Sequence, residues 1–137
     1  MSGIHRLVTS KELNSPYGGT LVNLKVNPER AAEIKTASRD LVSLDLSPRQ
    51  LADLEMLATG VFSPLQSFMG REDYEAVCAR MRLADGRLWP IPVTLDISLK
   101  FSENISPGQT IALRDGEGTL MAVLTVSEIW QPDKGAE

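Results

Sequence analysis

The residues from Leu46 to Leu95 constrain this chain more than any others, because helix caps, apolar periodicity and turn residues agree there throughout. Ser47 is followed by Pro48 and, at the third position after the serine, by Gln50. That is a capping box with proline in the first helical position, where an N–H would find no intrahelical partner anyway. It predicts a helix beginning at Pro48. Leu46 and Leu51 stand where a hydrophobic staple needs them, and Leu51, Leu54, Leu57 and Ala58 recur at helical spacing as one buried face. Gly60 is placed to end the helix in the left-handed conformation, with Val61 folding back on Met56. Phe62-Ser63-Pro64-Leu65 cannot continue the helix, since Pro64 disfavours the helical region at Ser63, and so predicts a tight, partly apolar corner.

A second helix is expected from Arg71 to Met81, with Gly70 as cap, Glu72 and Asp73 near its positive end, and Tyr74, Val77, Cys78 and Met81 on the inward stripe. Asp85-Gly86 between two apolar runs predicts a hairpin with a two-residue linker. Pro90 and Pro92 keep the next residues extended and outside any central ladder. From Val93 the pattern alternates, Val93, Leu95, Ile97 and Leu99 against Thr94, Asp96, Ser98 and Lys100, which predicts a half-buried strand.

The flanks are less emphatic. Met1 to Asn14 is polar and predicts an arm or short edge segment, and Pro16 to Gly19 a turn into a short strand from Thr20 to Leu24. Asn27-Pro28 is a cap followed by proline, so a peripheral helix is expected from Pro28 to about Ala37, with Ala31, Ile34 and Ala37 to bury. Leu41 to Leu46 reads as a short strand. Beyond a loop from Asn104 to Gly108, Gln109 to Arg114 is expected to be a strand, Asp115 to Gly118 a glycine-rich turn, and Thr119 to about Trp130 a long strand. Because that last strand is apolar on both faces, it is expected to be central. Residues 1–130 are read as a single domain and 131–137 as the start of a linker. Strands joined by short turns, with helices against one side or end, give an α+β fold on an antiparallel or mixed sheet, with a partial barrel as one form of it.

With 137 residues, 42% of them hydrophobic, the chain can build one ordinary core. A net charge of -4 speaks against an electrostatic nucleic-acid or anionic-membrane binder. The single cysteine, Cys78, excludes an internal disulfide and fits a reducing compartment, with cytoplasm the simplest expectation. No run reaches the roughly 18 apolar residues of a membrane span, and the first residues lack the apolar core of a signal peptide.

Chemistry-bearing constellations are sparse. One histidine, His5, and one cysteine, Cys78, lie in unrelated places, which argues against a transition-metal site. Gly18-Gly19 and Gly116-Glu117-Gly118 lack the Gly-Lys-Ser/Thr of a phosphate loop and read as turns. Asp53, Glu55 and Asp85 form no carboxylate pair placed for acid–base work. Arg71, Arg80, Arg82 and Arg87 are interleaved with Glu72, Asp73, Glu75 and Asp85, which blunts their field. Phe62, Phe68, Trp89 and Trp130 read either as core plugs or as part of a face that docks another domain. These readings yield a domain without catalytic, cofactor-binding or metal-binding residues.

The strings Ser47-Pro48-Arg49-Gln50-Leu51, Asp53-Leu54-Glu55, Phe62-Ser63-Pro64-Leu65, Phe68-Met69, Asp73-Tyr74 and Met81 to Gly86, followed by Leu88-Trp89-Pro90-Ile91-Pro92-Val93-Thr94-Leu95, closely resemble the N-terminal domain of the ATP sulfurylase (sulfate adenylyltransferase) family. Gly18 to Val22 and Asp133-Lys134 extend the resemblance over nearly the whole chain. It implies a PUA-like pseudo-barrel preceding a larger catalytic domain. The parent reaction so implied joins sulfate to the AMP part of ATP, giving adenosine 5′-phosphosulfate and pyrophosphate, with magnesium accompanying the nucleotide. That family's Gln-x-Arg-Asn-Pro signature has no counterpart here, since Gln109-Thr110 is followed by Ile111-Ala112. The resemblance therefore implies a scaffold without turnover of its own, partnered by the catalytic domain of the same parent, with a homo-oligomer of that parent left open. Phe62, Ser63, Pro64, Leu65 and Trp130 are the candidate docking residues. The alternatives are a stand-alone PUA-like module for RNA or a protein partner, and a free-standing regulator that docks onto a full-length sulfurylase.

Overall fold

The computed structural model describes residues 17–132. The polar arm to Asn14, His5 and the Asp133-Lys134 tail lie outside the described residues.

Helix α1 spans Pro28–Ala37, and Asn27 caps it by accepting the Arg30 N–H at 2.8 Å. It is peripheral as expected, but Ala31, Ile34 and Ala37 are not buried as expected: Ile34 is half-buried and the two alanines are exposed. A single 3-10 turn, Ser38–Asp40, leads to strand β1, Ser43–Asp45. Helix α2, Pro48–Thr59, carries the complete capping box. Ser47 Oγ accepts the Gln50 N–H at 3.2 Å and Gln50 Oε1 accepts the Ser47 N–H at 2.9 Å. The Gln50 amide nitrogen also donates to the Asp96 carbonyl at 2.8 Å, so the cap ties α2 to a distant segment.

Helix α3 covers Arg71–Arg80, one residue shorter than expected. Met81 leaves the helix in the left-handed conformation, φ 54°, and is exposed instead of completing the inward stripe that Tyr74 and Val77 form. The hairpin beyond it is real but wider than predicted. Leu83 N–H pairs with the Arg87 carbonyl and Gly86 N–H with the Leu83 carbonyl, so Ala84, Asp85 and Gly86 make a three-residue loop. Gly86, at φ 94°, takes the left-handed position that such a loop needs.

The segment expected as a strand from Val93 keeps the alternation but has no ladder. Val93, Leu95 and Ile97 turn inward, while the backbone polar groups of this stretch are taken elsewhere: Val93 C=O accepts the Met69 N–H at 2.7 Å, and Asp96 C=O accepts from Gln50. Ser98 then caps a four-residue helix, α4, Leu99–Ser102, which carries Leu99 out to 78% exposure. Likewise the Thr20 to Leu24 segment is not a strand. It is fastened by the Val22 and Leu24 amides, which donate to Ser63 Oγ and the Ala58 carbonyl.

Strands β2, Thr110–Arg114, and β3, Leu120–Thr125, complete a mixed sheet of order β1-β2-β3. β1 runs parallel to β2 and β3 antiparallel to it, with a register shift at Leu113/Arg114. The central strand is therefore β2, whose Ile111, Ala112 and Leu113 are buried, and β3 is an edge. Among the described residues this α+β sheet does not close into a barrel. Two apolar clusters flank it. Leu57, Leu65, Met69, Val77, Leu83, Trp89 and Val93 form one, and Leu46, Ile105, Ile111, Leu113 and Val126 the other. Helix α2 joins them, giving Leu57 to the first and Leu51 and Leu54 to the second.

Candidate docking face

The corner after α2 is built from backbone constraints upward. Gly60 sits at φ 88°, and a Cβ there would lie 2.4 Å from the Val22 carbonyl oxygen, so only glycine lets the chain reverse beneath the 21–24 segment. Ser63 locks the crossing. Its hydroxyl donates to the Gly60 carbonyl at 2.7 Å and accepts the Val22 N–H at 2.9 Å. The Ser63–Pro64 peptide is cis, and Leu65 N–H closes the turn on the Phe62 carbonyl at 2.9 Å.

This geometry overturns the expected role of Val61. Val61 does not pack back on Met56 but stands 68% exposed. It is the Phe62 N–H that bonds the Met56 carbonyl, at 3.2 Å. The Phe62 ring then meets Trp89 edge-on at 5.9 Å between centroids, which is a favourable arrangement of ring quadrupoles. Trp89 also meets Tyr17, tilted by 41° with ring centroids 6.3 Å apart, and the Tyr17 hydroxyl donates to the Leu88 carbonyl at 2.7 Å.

Of the five residues singled out for docking, Ser63 and Leu65 are thus buried within the chain, while Phe62, Pro64 and Trp130 are half-buried. Trp130 lies far along the sequence, against Tyr74 of α3 with ring centroids 4.6 Å apart. Glu128 explains why it is there. Its carboxylate accepts the Arg71 N–H at 2.6 Å and caps α3 in place of the side chain that Gly70 lacks. A Cβ on Gly70 would fall 2.1 Å from that carboxylate oxygen. No local sequence signal links Glu128 to Gly70, since they are far apart in the chain.

Two hollows flank the corner. A smaller one, about 420 Å³, is lined by Pro64 to Met69, the start of α3 and the hairpin loop. There Asp73 accepts the Ala84 N–H at 2.8 Å, and Asp85 is paired with Arg87. The side-chain hydrogen bond from Arg87, followed by the Arg87 backbone N–H, holds the Asp85 carboxyl below its ordinary value. A larger groove, about 830 Å³, lies between α1, α2 and β3, with Phe68 in its wall. Its apolar lining from Ala31, Ile34 and β3 was not visible as a site in the sequence, where α1 looked merely peripheral.

The arginines do not gather into a free basic surface. Arg71 is paired with Glu75 at 2.9 Å, Arg82 donates to the Gly86 carbonyl, and Arg87 is held by Asp85. Cys78 is half-buried on α3. Among the described residues no group of three histidine, cysteine or carboxylate side chains could hold a metal ion. Nor is any described helix long and apolar enough to cross a membrane.

Residues 14–137 match the family described as a PUA-like domain. The sulfate adenylyltransferase of Synechococcus sp. (strain JA-3-3Ab) is 44% identical over 131 residues, covering 96% of this chain and 33% of the relative. That of Symbiobacterium thermophilum is 46% identical over 123 residues, covering 90% and 31%. Among solved structures, a chain of the hexameric APS kinase from Thiobacillus denitrificans superposes with a TM-score of 0.78 at 45% identity, over 88% of this chain and 24% of that one. This chain spans about a third or less of the length of these relatives. It belongs to the PUA-like domain family.

Proposed function

We propose that this chain is the non-catalytic N-terminal part of a sulfate adenylyltransferase and that it scaffolds the catalytic domain of that enzyme. The observation that carries the reading is the similarity of nearly the whole chain to a minor part of proteins bearing that name. The parent reaction, ATP and sulfate to adenosine 5′-phosphosulfate and pyrophosphate, then belongs to the remainder, which also supplies the ATP and magnesium sites. Sulfate assimilation in the cytoplasm is the setting, and an oligomeric parent, as in the hexameric APS kinase, is its form.

Docking is assigned to the corner of Phe62, Ser63, Pro64 and Leu65 and to Trp130. In this arrangement Ser63 and Leu65 act from within, by fixing the corner. Pro64, the half-buried ring faces of Phe62 and Trp130, and exposed Val61 offer the contact surface. The chain alone, incubated with ATP, magnesium, sulfate and pyrophosphatase, is expected to release no phosphate above blank. Sulfate-dependent release by the chain alone would overturn the assignment.

A further inference from the structure

The exposed side of β3 carries backbone hydrogen-bonding groups that no other strand uses among the described residues. On the other side of the sheet Ala112 N–H donates to the Val42 carbonyl, so Ala112 faces β1 and its neighbours Ile111 and Leu113 face β3. Their partners on β3 are Leu124 and Ala122. Because an antiparallel ladder alternates, Val123 and Thr125, which lie on the regular side of the register shift, must direct their N–H and C=O groups away from β2. No strand pairs with them among the described residues.

Natural edges are commonly blunted by charge or proline, yet Leu120–Thr125 carries neither. This edge instead forms one wall of the groove of about 830 Å³ described above. The opposite wall is α1, which buries no residue and lends Ala31 and Ile34 to the groove lining. The charged residues of the lining are Lys25, Lys35 and Arg114 against Glu117 alone, a cationic rim on a chain whose net charge is -4.

We propose that β3 and this groove receive an extended segment from the remaining part of the parent enzyme, added to the sheet as a fourth strand beside β3. Its apolar residues alternate into the groove, and its carboxylates meet Lys25 and Lys35. This rests on the reading of the chain as part of a sulfate adenylyltransferase, whose matched relatives are about three times as long. A second copy of this chain is a poorer occupant, since a two-fold contact would set the same three cations against each other. A small apolar ligand would leave the outward N–H and C=O groups unpaired, at the cost that buried polar groups carry.

The test is a chimera in which this chain replaces the matched third of the Synechococcus enzyme, with hydrogen exchange measured at the Val123 and Thr125 amides in the chimera and in the free chain. Exchange at these amides is expected to slow on the order of a hundredfold in the chimera, as newly made backbone bonds require. Val123→Pro, which removes an outward donor but no bond to β2, is expected to return Thr125 to fast exchange. An active chimera whose two amides exchange as in the free chain overturns the strand addition and leaves the enzyme assignment standing. Protection already present in the free chain also overturns it. A chimera without sulfate-dependent turnover overturns the assignment and the inference together.

Discussion

Ser63 shows how one hydroxyl can decide a local fold. It donates to the Gly60 carbonyl and accepts from the Val22 N–H, and both it and Val22 are buried. Ser63→Ala leaves the Val22 N–H without a partner, so it is expected to lower unfolding free energy by about 1–3 kcal/mol, read from the urea midpoint. Gly60→Ala is expected to cost more than the roughly 1–2 kcal/mol of a left-handed alanine, because the new methyl also meets the Val22 carbonyl at 2.4 Å. Asp85 makes a separate prediction. Its pKa is lowered by the Arg87 hydrogen bonds, so the pair stabilises the hairpin above the unfolded aspartate value and loses that contribution as pH falls through the lower, folded value. An NMR titration of the Asp85 carboxyl should have its midpoint below that of an ordinary aspartate, and Arg87→Gln should bring it back up.

Between elements, the decisive bonds join residues remote in sequence. Glu128 caps α3 across the chain, so Glu128→Ala is expected to destabilise by about 1 kcal/mol, while Gly70→Ala, which displaces the same carboxylate, should do no better. Double substitution should then cost little more than the worse single one, because both remove one interaction. What could be read from the sequence divides along the same line. The α2 capping box, the Asn27 cap of α1 and the inward Tyr74 and Val77 of α3 are local, and each stands where spacing placed it. Strand order was not legible. Alternation reports which side chains are buried but not which backbone is paired, so Val93 to Ile97 kept its inward residues without a ladder, and β3, apolar on both faces, proved to be an edge. In the corner proposed for docking, Phe62 to Leu65 was recognisable as a turn, but the inward course of Ser63 and Leu65 follows from contacts with Val22 and the first apolar cluster that no local pattern announces.

At the scale of the whole molecule, α2 holds the two apolar clusters together, and the architecture spends its strongest sequence signals on that joint. Leu57, 1% exposed, is its central side chain, and Leu57→Ala is expected to cost about 2–5 kcal/mol through lost burial and the cavity left behind. The proposed function has the grooves and corner of this body serve another part of a larger enzyme. The chimera of this chain with the unmatched two thirds of the Synechococcus sulfate adenylyltransferase tests that role most directly, by its sulfate-dependent pyrophosphate release beside that of the same enzyme truncated to lack the matched third. The scaffold account predicts turnover in the chimera and a loss of at least about tenfold in the truncated form, equal to roughly 1.4 kcal/mol of lost transition-state stabilisation. Full turnover by the truncated enzyme would contradict it.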